Sequence, residues 1–202
     1  MKKCTLPILG ALALSLACSS VFAADGTITV SGVITDGTCT LQGSSEVSGL
    51  KDLMVNLDSI SKSEFTPTHP RPGKYKSITL QLMNATGTGP CDAVTGQALQ
   101  GVHLSAISPA DLDATDKTLL VNKAEGAFTT NPVFIQIITV DFISNDRIVD
   151  FSAPWGVQAK SVVYSQLFSG TFVAYDVKYA SKTGIVDAQN VQVKINYTLH
   201  YN

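Results

Sequence analysis

The sequence predicts an all-β fold, a sandwich built from many short strands, and three observations carry that expectation. Apolar residues recur with a period of two. In the final dozen positions Val191, Val193, Ile195, Tyr197, Leu199 and Tyr201 alternate with Gln192, Lys194, Asn196, Thr198, His200 and Asn202, which places every apolar side chain on one face of a strand. Turn-forming clusters punctuate the alternation. Thr66-Pro67-Thr68-His69-Pro70-Arg71-Pro72-Gly73 and Gly87-Thr88-Gly89-Pro90 can continue neither strand nor helix. Charged residues make up only 15% of the chain while Thr, Ser and Val are plentiful, the composition of a pleated, half-buried surface.

The elements follow in chain order. Residues 1–23 read as a secretory leader: Lys2 and Lys3 start it, residues 6–16 form a short apolar stretch, and Val21-Phe22-Ala23 fits the small-residue cleavage rule with release before Ala24. The stretch is too short to cross roughly 30 Å of hydrocarbon. Leu16-Ala17-Cys18 loosely matches a lipoprotein cleavage site instead, although Ser15 stands where that signal carries Leu. Residues 27–35, Thr-Ile-Thr-Val-Ser-Gly-Val-Ile-Thr, form a first alternating strand, with Asp36-Gly37 as a turn or bulge before Cys39 and Leu41. Residues 53–57 form a short run. Residues 77–83 point Ile78, Leu80 and Leu82 inward, and residues 101–107 do the same with Val102, Leu104 and Ala106. Residues 109–120 hint at no more than a short turn of helix. Residues 132–143 are a long apolar stretch, buried on both faces or bent between sheets. A short strand over 160–164, a long one over 168–179 and the last over 190–201 complete the series. Many short strands with spaced turns point to a single β-sandwich.

Removing 23 of the 202 residues leaves 179, enough for one domain with a real core. Lys2 and Lys3 leave with the leader, so 12 basic residues face 16 acidic ones and the net charge is −4. That balance gives no basic patch for nucleic acid. Cleavage also removes Cys4 and Cys18, leaving Cys39 and Cys91. In an exported chain two cysteines most simply form one disulfide; two buried free thiols are the alternative, and a metal site would lack the ligands for tetrahedral coordination. His69, His103 and His200 are scattered, with the last two on the polar phase of their strands. No serine sits in a nucleophile-elbow context. Asp111, Asp113 and Asp116 read as a solvated turn rather than a calcium loop. Trp155, in Pro154-Trp155-Gly156, is the one residue with a low-ranking claim to ligand contact, as a platform for a sugar ring. The sequence therefore predicts no enzyme, no cofactor and no metal.

In joint order these features resemble the structural subunits of chaperone–usher fimbriae, the type 1 pilin-like family. The segment 26–39 is similar to the donor extension of such subunits running into the first cysteine, and Gly32 lies seven residues before Cys39, the spacing those extensions show. An apolar strand leading to Phe65, Cys91 after the strand at 78–84, and the penultimate Tyr201 match in order. Departures are the stretch 187–190, Asp-Ala-Gln-Asn, where a Gly is common, the short segment before Ile28, and the long apolar span 132–163.

The resemblance implies an incomplete immunoglobulin-like β-sandwich completed by a donor strand from another chain. It divides the chain into a cleaved leader (1–23), a donor extension (24–35) presenting Ile28, Val30, Gly32 and Ile34, and a pilin domain (36–202). It makes Val191, Val193, Ile195, Tyr197, Leu199, Tyr201 and Asn202 the strand that flanks the acceptor groove, with the Asn202 carboxylate anchored in the chaperone. Implied partners are a periplasmic chaperone, an outer-membrane usher and other subunits, copies of this chain or different ones. The implied function is a structural subunit exported through the periplasm of a Gram-negative cell to a surface fimbria, polymerised head to tail and supporting adhesion. The alternative is a single-domain adhesive subunit that binds a glycan or protein receptor of the host through its loops.

Overall fold

The structure, a computed structural model, describes residues 39–202 apart from 45, 46, 142, 144, 145 and 167–169. The leader and the strand expected over 27–35, with Ile28, Val30, Gly32 and Ile34, lie outside the described residues. The strands that are described are β1 (Thr40–Gly43), β2 (Val47–Ser48), β3 (Met54–Val55), β4 (Lys76–Met83), β5 (Leu99–Ala106), β6 (Leu120–Val121), β7 (Phe134–Thr139), β8 (Tyr164–Gln166), β9 (Gly170–Ala180) and β10 (Ile195–Tyr201). One short helix, α1 (Ala93–Ala98), precedes β5.

Antiparallel pairing orders the large sheet β1-β4-β9-β7-β6, with β8 also pairing β9, while β10 pairs β5 and β2 pairs β3 in two small sheets. The core lies between these layers. Leu41 of β1, Ile78, Leu80 and Leu82 of β4, and Val173, Tyr175 and Val177 of β9 pack against Val102 and Leu104 of β5. Alternation explains the choice: each of these residues shares the inward phase of its strand. The Tyr175 hydroxyl crosses the core to donate to the Val102 carbonyl at 3.4 Å, and burial pushes that phenol well above its ordinary value. This is the nearly all-β architecture that the sequence predicts, consistent with the incomplete immunoglobulin-like sandwich that the resemblance implies, and among the described residues its second layer is short of strands.

Cys39 and Cys91 form the disulfide, with Cα atoms 5.7 Å apart across a separation of 52 residues. It ties the start of β1 to the chain returning from β4, where the Cys91 N–H already donates to the Leu82 carbonyl at 3.1 Å. The apolar stretch over 132–143 is realised in β7, which is buried on both faces. Ile135 and Ile137 enter the main core, whereas Phe134 packs with Leu119 and Ala180 on the other side. The hint of helix over 109–120 shrinks to a single 3₁₀ turn, Pro109–Asp111, closed by a capping box with Ser108. Helix α1 has no sequence counterpart; six residues are too few for a helical period, and the Asp92 carboxylate accepting from Thr95 N–H at 2.9 Å starts it.

The acidic turn is a structural anchor. Asp113 accepts from the Thr115 and Asp116 N–H groups, the Thr115 hydroxyl, and Lys182 Nζ at 2.9 Å. Burial alone would raise its carboxyl, but Lys182 and the Asp116 and Thr115 donors outweigh burial and hold it well below the usual carboxylate range. An acid depressed in the folded state contributes stability that is present above its unfolded value and lost as pH falls toward the folded one. Asp113→Ala therefore costs about 1.5–3 kcal/mol near neutral pH. The deficit against wild type shrinks below about pH 4, as urea midpoints across that range will show; a deficit that is constant with pH would refute the assignment.

Candidate functional site

The C-terminal segment is laid in place before its ladder begins. Asn122, buried just after β6, donates from its amide to the Asn190 carbonyl (2.7 Å) and to Gln189 Oε1 (2.9 Å), and its Oδ1 accepts from Gln192 N–H at 3.0 Å. Lys123 N–H adds a bond to the Gln192 carbonyl at 2.8 Å. From Ile195 opposite Ala106 to His200 opposite Gly101, β10 then runs along β5, with a shift in register between His200 and Tyr201. Asn202 N–H donates to the Ala98 carbonyl at 3.0 Å, and the Gln100 amide donates to the Asn202 side chain.

The two edges of this β5–β10 pair are treated differently. On the β5 side, Gln158 is buried and its side-chain amide imitates a strand peptide. Its Oε1 accepts from Leu104 N–H at 2.9 Å and its Nε2 donates to the Leu104 carbonyl at 2.7 Å. Both backbone groups of Leu104 are thus engaged away from β10, so Leu104 and Tyr197 form a non-hydrogen-bonded pair. Alternation then aims the N–H and C=O groups of Ile195, Tyr197 and Leu199 at the far edge of β10. Among the described residues no strand pairs along that edge. A long edge with an apolar face is a template for another chain.

The face behind that edge is incompletely covered. Val191, Val193, Ile195, Tyr197, Leu199 and Tyr201 all pack on the main core yet stay half-buried, alternating with exposed Gln192, Lys194, Asn196 and Thr198. Leu53, Val55 and Leu57, around β3, show the same half-burial on the same core. By contrast Ile78, Leu80 and Leu82 of β4 are 6%, 6% and 0% exposed. At the start of the C-terminal segment a cleft of about 280 Å³ opens beside Ile107, Leu120, Val121 and Val193. The Lys123–Asp111 ion pair, at 3.2 Å, belongs to its lining. Burial and the nearby Asp92 carboxylate push the Tyr201 phenol up.

The other predicted residues fall elsewhere. Trp155 stacks on His200, centroids 4.0 Å apart and planes at 5°, and Lys160 Nζ lies 4.1 Å from its ring centre. His103 Nε2 lies 3.0 Å from the Ala153 carbonyl. His69 sits in the turn with Thr66 and Thr68. The sulfurs of Cys39 and Cys91 lie near Asp92 but, being joined to each other, offer no thiolate. Asn122 and Gln158 escaped the sequence reading, because a polar residue in a loop carries no periodicity that marks it as buried.

No protein-family model matches the chain. Over 194 residues, 96% of this chain and 96% of the relative, it is 27% identical to an F17 fimbrial protein of Escherichia coli.

Proposed function

We propose that this chain, a structural subunit of a fimbria, is joined to its neighbours by donor-strand exchange along the open edge of β10. The observation that carries the reading is the combination along the C-terminal segment: four inward residues of β10, with Val191 and Val193 ahead of it, keep perfect phase but only half-burial, behind backbone groups with no described partner. An incoming strand would bond to Ile195, Tyr197 and Leu199 and set alternate side chains against the half-buried face, which is β-augmentation. Residues 24–35 of a second subunit are the proposed donor, with Ile28, Val30 and Ile34 as the seated side chains. Burying three such aliphatic groups is worth on the order of 5–9 kcal/mol before ordering costs. Gly32 fits a point where another backbone approaches closely.

A donor on one subunit and an acceptor on the next make a heterologous contact, which repeats into an open filament. Before assembly the same edge is held by a strand of a periplasmic chaperone, and an outer-membrane usher exchanges it for the next subunit. Export behind the leader 1–23 brings the chain to the periplasm, and the finished fimbria stands on the cell surface. The mechanism has no turnover step.

Fibres run on SDS gels without boiling will give ladders that collapse on heating. Deleting residues 24–34, or replacing Gly32 with a bulky residue, will abolish them. A stable monomer that folds without a chaperone and is indifferent to the deletion would sink the reading.

A further inference from the structure

The outer face of β10, turned away from the core, carries a second arrangement. His200 opposes Gly101 on β5, and Trp155 reaches over from the loop after Phe151. A Cβ on Gly101 would come 3.1 Å from Trp155 Cη2, and the residue holds φ +150°, so glycine there lets the indole lie against the strand. The indole stacks flat on the His200 imidazole. Lys160 sits over the same indole and also donates to the Trp155 carbonyl at 3.3 Å, while the His103 ring lies edge-on, 6.0 Å from His200. Gln158, three residues after Trp155, fixes this loop to Leu104 and to the Asp150 carbonyl.

We infer that the Trp155–His200 stack is an acid-sensitive clamp, which holds the loop 153–160 on β10 while His200 is neutral and loosens when His200 takes a proton. The charges around the ring argue for it. From β5 the facing titratable group is His103, and from the loop it is Lys160. On the loop's approach the Asp150 carboxylate is engaged by Ser152. The side chains at 198 and 202, on either side of His200, are uncharged. An imidazolium would gain attraction from the indole face. Lys160 already lies over the indole, however, and the His103 ring stands edge-on beside His200. Burial, then His103, then Lys160 accordingly lower the His200 value from its ordinary 6.5.

The direction of the effect follows from linkage. With its folded value below the unfolded one, His200 binds fewer protons in the folded chain. The clamp is complete above the ordinary value and is lost as pH falls through the folded one. His200 lies between Leu199 and Tyr201, two residues of the half-buried face, so release slackens the end of the strand that borders the open edge.

Trp155 is the only tryptophan in the chain, so its emission reads the clamp directly. The folded chain in its native assembly is titrated from about pH 8 to about pH 5. The expected result is one quenching step with a midpoint below 6.5. It is accompanied by a fall in the urea midpoint over the same interval. His200→Gln abolishes the step and flattens the urea response over that interval. His103→Gln keeps the step and moves it to higher pH, because one cationic neighbour is gone. A flat wild-type titration, a step that survives His200→Gln, or an unmoved midpoint in His103→Gln overturns the proposal. The titration needs only a folded chain, so its failure is separate from any failure of strand exchange.

Discussion

Replacing Cys39 and Cys91 with serine lowers the stability of the folded subunit by about 4 kcal/mol, the chain-entropy value for a closed loop of this length. The loop spans 52 residues and includes β1, β2, β3 and β4. Without the bridge the denatured chain regains the freedom of that whole segment, while the folded chain loses only one contact between β1 and the return from β4. A domain of ordinary stability holds about 5–15 kcal/mol in total. This one leaves the inward faces of β10 and β3 half-covered, so the bridge is a large share of what it has. The double variant is expected to fall below the level needed to accumulate in an oxidising compartment. Urea curves of the wild type with and without reductant measure the effect, with the midpoint shifting and the slope reporting any expansion of the denatured state. A shift worth under about 1 kcal/mol would show that the loop is already constrained when unfolded.

The strands that were legible in the sequence each present one inward apolar face, although β9 also buries Ala174 and Ala180 on its other phase. β4, β5, β9 and β10 each set apolar against polar residues, and the phase alone names the inward side chains, Leu82 and Tyr175 among them. Where both faces are buried the alternation disappears, and the stretch over 132–143 could be read only as sheltered or bent. β2 and β6 are two residues each, too short for any period. The disulfide followed from counting the cysteines left after the expected leader. What the sequence hid was the difference between the two edges of the β5–β10 pair. That difference rests on Gln158, a loop residue more than fifty positions from the strand it closes, and no local pattern marks a side-chain amide as a substitute for a peptide. Nor does alternation reveal half-burial: β10 and β4 look equally amphipathic, and only the packing shows that β10 has a face still to be covered. His103 and His200 were assigned correctly to the polar phase, but their meeting beside Trp155 depends on strand pairing and on Gly101.

Charge placed on the two phases of β10 separates the acceptor face from the strand that bears it. Tyr197→Asp and Leu199→Asp put a carboxylate on the half-buried face, where an incoming strand would have to desolvate it. An unpaired buried charge costs several kcal/mol, so these variants are expected to reduce fibre ladders by two orders of magnitude or more, about 3 kcal/mol. Asn196→Asp and Thr198→Asp put the same charge on the exposed phase and are expected to stay within about 0.5 kcal/mol of wild type. All four positions lie within one stretch of β10 and alternate along it, so general damage to the strand predicts similar losses from all of them. Each variant is also checked for the Cys39–Cys91 bond and a β-rich circular dichroism spectrum, which keeps misfolding distinct from failed assembly. If the inward variants fold and still polymerise as wild type, β10 is an ordinary edge strand. The half-burial of its inner face would then be a packing defect with no partner to relieve it. If only the inward pair fails, the open edge and the uncovered face act as one surface, since the ladder and the sockets can be filled together only by a strand.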